Sequence, residues 1–255
     1  MADELVSVLN LNLSVDGIRI CPGTDLSIKK QQGYLVTGPF ESANVFLLQV
    51  IGGILPPEPG QGQVLFQGSD IYESDEGEIK KIKQKIAFIF SEGTMISNLT
   101  VKENLLLPVQ YHYPHYDEAA VMERIRKDFD YFGIGGVLEK RPAEISYYER
   151  KKLAFIRASL QEPELILMDK PMFNLEEYDQ NQVIRYLEDL KAKGTTCIIV
   201  SQCVSLVQSL IDEAILLEEG KSPRMIHKSD EEFAALSRFP FSRSCAKNLE
   251  TGRKP

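Results

Sequence analysis

The residues with the clearest capacity for chemistry lie in two short stretches, each ending an apolar run. The first is Tyr34 to Phe46, YLVTGPFESANVF. Tyr34-Leu35-Val36 suits a buried strand, Gly38-Pro39 marks a turn, and a helical pattern begins near Ser42. Strand, tight loop and helix form the setting in which G-x-x-x-x-G-K-[S/T] cradles phosphates. On that pattern Gly38 fills the first glycine, whereas Ala43, Asn44 and Val45 stand where Gly, Lys and Ser/Thr belong. Asn44 offers a neutral amide in place of a full positive charge, and Val45 has no oxygen for magnesium. Ala43 resists the backbone geometry that glycine allows, and Glu41 adds a negative charge to a loop meant for a polyanion. Hydrogen bonds to charged groups contribute about 1.5–3 kcal/mol each, so losing several together removes most nucleotide affinity. The second stretch is LILMDKP at 165–171, a fully apolar strand that delivers Asp169 and then Lys170.

Other polar residues have simpler readings. Ser146 and Glu149 form a Ser-x-x-Glu capping box, opening a helix striped by Leu153, Ile156 and Leu160. Asp169 at a strand end can pair with Lys170 or a nearby donor. Tyr147 and Tyr148 read as packing or interface residues. His112 and His115, in YHYPHY, fit a solvated loop, since no third metal ligand is in view.

The elements that must hold these residues follow from the patterning. Leu5–Leu13, Ile18–Ile20 and Asp25–Ile28 read as short strands separated at Asp16-Gly17 and Pro22-Gly23. Gln63–Phe66 and Lys85–Phe90 are again extended. Residues 91–145 look like a helical insertion. Within it Asp117 caps a helix with Val121, Ile125, Phe129 and Phe132 on one face, stopped by Gly133. An α/β rhythm closes the chain: a helix stopped at Gly194, strand Thr196–Val200, helix Val204–Ile211 and strand Ala214–Leu217.

The 255-residue chain has an ordinary globular composition and a net charge of −8, which argues against a nucleic-acid surface. Its last eighteen residues, from Arg238, carry five basic residues and one acidic, and read as a solvated basic tail. The four cysteines show no paired spacing for a metal or a disulfide framework, and a reducing cytoplasm fits. No apolar run approaches the ~20 residues a membrane span requires.

Taken in order, these landmarks resemble the ATP-binding cassette ATPases, the nucleotide-binding subunits of ABC transporters, over about residues 5–228. The phosphate loop matches 38–46 and the glutamine loop IAFIFS at 86–91. The signature matches ISYYERKKLAFIRA at 145–158, the Walker B strand LILMDKP, and the histidine switch VSQ at 200–202. SNLTVKENLLLPVQYH at 97–112 is similar to ATPases of the mammalian-cell-entry type, which drive phospholipid transport. The resemblance implies an α/β fold with an antiparallel β subdomain, a RecA-like parallel-sheet core and a helical subdomain at about 91–160. The cassette would span 1–237 and the tail 238–255.

Set on the family's functional positions, Ser91 replaces the loop glutamine. Tyr147 and Tyr148 replace the signature glycines that admit a γ-phosphate. Lys170 replaces the glutamate that acts as general base, Glu176 the D-loop aspartate, and Gln202 the switch histidine. Asp169, the usual magnesium partner, is kept. Residues 5–18 offer no aromatic to stack on adenine. The expectation is therefore a non-catalytic homologue without cofactor. It would serve as a structural or regulatory subunit of a lipid ABC transport complex, peripheral on the inner face of a bacterial cytoplasmic membrane. Its partners would be a permease in the groove around 88–112 and a second cassette, or a copy of itself, across Ser146–Tyr148. The apolar residues of 94–109 could equally be core. The alternatives are a nucleotide-binding or slow ATPase subunit, using ATP and magnesium, or a free-standing regulator.

Overall fold

The computed structural model describes residues 3–15, 18–39, 41–201 and 203–238. In chain order its elements are β1 (Glu4–Val15), β2 (Ile18–Lys29), β3 (Gly33–Thr37), α1 (Glu41–Ile51), β4 (Gln63–Phe66), β5 (Ser69–Asp70), α2 (Glu76–Gln84) and β6 (Ile86–Ile89). Three helices follow, α3 (Val101–His112), α4 (Glu118–Phe132) and α5 (Tyr147–Ser159), then β7 (Leu165–Asp169) and α6 (Glu177–Ala192). The last are β8 (Thr196–Val200), α7 (Val204–Val207), β9 (Glu213–Leu216), β10 (Arg224–His227) and α8 (Glu231–Arg238).

The central sheet runs β10-β9-β3-β8-β7-β6, parallel from β9 to β6, with β10 antiparallel at the edge. A second, antiparallel sheet runs β2-β1-β4-β5. Every residue of β3, β7 and β8 is buried, as expected for parallel strands covered on both faces. Alternation divides them between two cores. Leu35, Ile166, Met168, Cys197 and Ile199 join the cluster that contains the buried faces of α3, α4, α5 and α6. Tyr34, Val36, Leu165, Leu167, Ile198 and Val200 join the cluster of α1 and the antiparallel sheet.

Several elements differ from the sequence expectation. β2 is one strand, running through Pro22-Gly23 with register shifts in its pairing to β1. As an edge strand it tolerates a proline, which has no N–H to donate. The expected helix 204–211 is short: α7 gives way to a 3-10 turn at Gln208–Leu210, whose Leu210 carbonyl accepts from Lys191 Nζ at 3.0 Å. The apolar segment 94–109 is mostly core. Val101, Leu105, Leu106 and Val109 are buried, leaving Ile96 and Leu107 as its exposed large apolar side chains. Its helix α3 opens with a capping box, Thr100 with Glu103, a signal legible as T-x-x-E. Of the basic tail only Arg238, the end of α8, falls among the described residues.

Candidate functional site

Parallel strands send their C-terminal ends to one edge of the sheet, and the loops that follow meet there. Asp169 of β7 is level with Val200 of β8, and Val200 with Val36 of β3. One strand thus separates the phosphate loop after β3 from the end of β7, a gap of about 10 Å at the usual strand spacing. β6 leads on the other side to Ser91. The topology therefore gathers the loops carrying Gly38–Val45, Asp169-Lys170 and Ser91 along one edge.

The phosphate loop is held by its backbone. Gly38 has φ +156°, and a Cβ on it would lie 2.4 Å from the Leu217 carbonyl oxygen. Ala43 and Asn44 are buried in the first turn of α1, and Val45 is half-buried. The Asn44 amide donates to the Gly38 carbonyl at 3.5 Å, while its Oδ1 has no partner. Glu41 begins α1.

The end of β7 is where charge gathers. Asp169 is 8% exposed, and its Oδ1 has no hydrogen-bond partner. Burial raises its pKa, offset by the Ser91 side chain and by the Lys151 ammonium. Lys170 adopts a left-handed backbone, φ +45°, its N–H donating to the Val200 carbonyl at 3.0 Å, and burial lowers its pKa. Lys151 of α5 is only 1% exposed. Its Nζ donates to the Ser91 carbonyl at 2.7 Å and to the Lys170 carbonyl at 3.5 Å. Burial brings its pKa down to about 8, against the attraction of Glu92 and Asp169. Sequence reasoning missed Lys151, because it sits among the charged residues of an amphipathic helix. The available signal was its place one turn after Tyr147, on the side of the buried Phe155.

The remaining residues are more dispersed. Ser146 caps α5, its Oγ accepting from the Glu149 N–H at 3.1 Å. Tyr147 is half-buried, its hydroxyl 3.5 Å from the Ser91 carbonyl, and Tyr148 beside it is 40% exposed. Glu176 is the exposed N-cap of α6, with no side-chain cap bond. Gln202 lies outside the described residues. His112 is pushed below the usual histidine pKa by burial first and by Lys80. Among the described residues no group of three His, Cys, Asp or Glu side chains could hold a metal by itself. Magnesium carried by phosphates needs fewer protein ligands, and a buried carboxylate with an unpartnered oxygen suits it.

The family described as ABC transporter matches residues 23–173. The chain belongs to the ABC transporter family. Its match to the intermembrane phospholipid transport system ATP-binding protein MlaF of Haemophilus influenzae is 26% identical, covering 90% of this chain and 89% of that one. The lipoprotein-releasing system ATP-binding protein LolD of Aquifex aeolicus is 27% identical over 86% of this chain and 96% of its own. Among solved structures, the dimeric post-hydrolysis ATP-binding cassette MJ0796 with ADP and Pi superposes with a TM-score of 0.77. At 22% identity over 89% of this chain and 100% of that one, it establishes the ABC ATPase fold.

These findings correct one expectation. The reading of this ABC transporter chain as a non-enzyme, argued from substitutions alone, is overturned. Its relatives are named ATP-binding proteins, and its fold is that of an ABC cassette solved with hydrolysis products. Among the described residues no helix is long and apolar enough to cross a membrane.

Proposed function

We propose that this chain is the nucleotide-binding subunit that energises an ABC transporter of lipids, binding Mg·ATP and turning it over slowly. The observation that carries the reading is Asp169: a buried carboxylate with an unpartnered oxygen, at the sheet edge one strand from the phosphate loop. Asp169 would hold the magnesium, and the N–H groups around Gly38 and the start of α1 would hold phosphate oxygens. Lys170 adds positive charge at the same edge. Bound magnesium would neutralise developing charge on the phosphates. The lipid cargo is suggested by the phospholipid system relative.

The exposed side chains on the 88–112 segment, Ile96, Leu107 and Tyr111, would meet a permease on the inner face of a bacterial membrane. A second cassette would meet the face carrying Ser146, Tyr147 and Tyr148. Isothermal titration with Mg·ATP, paired with phosphate release, tests the reading. A dissociation constant below about 100 µM, or more than ~5 kcal/mol, is expected, with turnover lost in Asp169→Asn. No binding and no turnover at millimolar Mg·ATP would overturn it.

A further inference from the structure

Lys151 occupies a place that packing alone does not explain. Burying an ammonium is costly unless it is hydrogen-bonded and faced by opposite charge. Here the ammonium is 1% exposed and meets backbone carbonyls from two loops of the site edge, Ser91 and Lys170. Glu92 and Asp169 are the carboxylates whose field reaches it. The other charged or titratable groups around the joint are Lys170 after β7, and Tyr147 and Arg150 on α5 itself.

The loop it grips is built to come close. Gly93 has φ +60°, and a Cβ there would lie 3.0 Å from the Arg150 carbonyl and from the Lys151 Cα. Tyr147 reaches the same Ser91 carbonyl from one turn earlier. Just beyond, Arg157 of α5 donates to the Thr94 carbonyl at 2.7 Å. The 91–94 loop is thereby fastened along α5, and Lys151 carries the fastening on to the Lys170 carbonyl after β7, beside the Ser91 side chain that bonds Asp169.

We propose that Lys151 is a positioning residue that ties the helical layer to the Asp169 corner, so that the state of the nucleotide edge reaches the 94–96 segment. This rests on the proposed function for its use. The tie itself is a property of the chain without nucleotide. It places a buried cation between the Ser91 and Lys170 carbonyls.

Hydrogen exchange of residues 90–96, with and without Mg·ATP, tests it on the full chain. In Lys151→Met, exchange of this segment without nucleotide is expected to speed at least tenfold and to lose its response to Mg·ATP. Lys151→Arg should restore much of the protection, since a guanidinium can reach the same carbonyls; a structural filler role would not distinguish Arg from Met in this way. If Lys151→Met does not fold, Lys151→Gln, which keeps a shorter donor, is read for the same loss. Unchanged protection at 90–96 in a folded Met or Gln variant would overturn the tie, as would failure of Arg to recover more than Met does. Absence of any nucleotide effect at 90–96 in the native chain, with Mg·ATP binding seen by titration and the tenfold loss intact in the variant, would overturn the transmission while leaving the tie and the proposed function standing. Absence of binding in the titration would overturn the proposed function instead.

Discussion

The two ends of the site edge solve the same problem differently. At the phosphate loop the backbone is tightly held and the positions of the lysine and the hydroxyl carry neutral side chains: Gly38 pressed on Leu217, Asn44 bonded to Gly38, Val45 beside it. At the end of β7 charge is crowded: Asp169, Lys170 and Lys151, with Glu92 close by. A cation missing from one element is matched by one entering from another helix. The lesson is that charge balance belongs to the edge as a whole.

The largest expected effect comes from the loop's backbone. Gly38→Val should cost roughly 3 kcal/mol or more, because the added side chain meets the fixed Leu217 carbonyl. Chemical denaturation measures this, and a loss under ~1 kcal/mol would mean the loop is looser than described. Next is the charged corner. Lys151 titrates at about 8 when folded, against a usual value of 10.5. The unfolded chain therefore holds more protons between those values, and stability from this group rises with pH there. Relative to Lys151→Met, the native chain is expected to gain roughly 1–3 kcal/mol from about pH 8 to 10. Cys21 and Cys197, whose thiols burial pushes up to about 12, pull the other way from about pH 9, and the buried Tyr34 and Tyr72, also raised, join them at higher pH. All four are shared by the native chain and the variant and cancel in the difference.

A smaller effect crosses between the two ends. Asn44→Lys should tighten Mg·ATP about tenfold, or ~1.4 kcal/mol, by returning a charge to the loop. Equal or weaker binding in titration would mean the edge is already saturated with cations. The smallest is Ser146→Ala, which removes the cap of α5 and should cost about 1 kcal/mol in thermal melts. A larger loss together with weakened nucleotide binding would show that Ser146 acts in the site as well.

Much of the fold was legible in the sequence. Asp117 and Gly133 mark the ends of α4 as read, and Thr196–Val200 is β8 to the residue. These elements follow from caps and apolar runs, which are local. β2 was broken in the reading, because Pro22-Gly23 punctuates a strand only when the strand is central. The segment 94–109 could not be assigned to core or surface by composition, since α3 buries one side and exposes Leu107 on the other. The site was legible only as losses counted position by position. Lys151, which reaches Ser91 and Lys170 across sixty and nineteen residues of chain, is visible only in three dimensions.

Asn104 is buried on α3, and its side chain accepts from the Ile96 N–H and donates to the carbonyls of Ile96, Leu99 and Thr100. Such a knot leaves the 96–104 stretch little freedom to bend within itself. A push on its exposed Ile96 tip would then swing the whole stretch like a rigid crank, delivering the displacement inward to α3 rather than dissipating it in a soft loop.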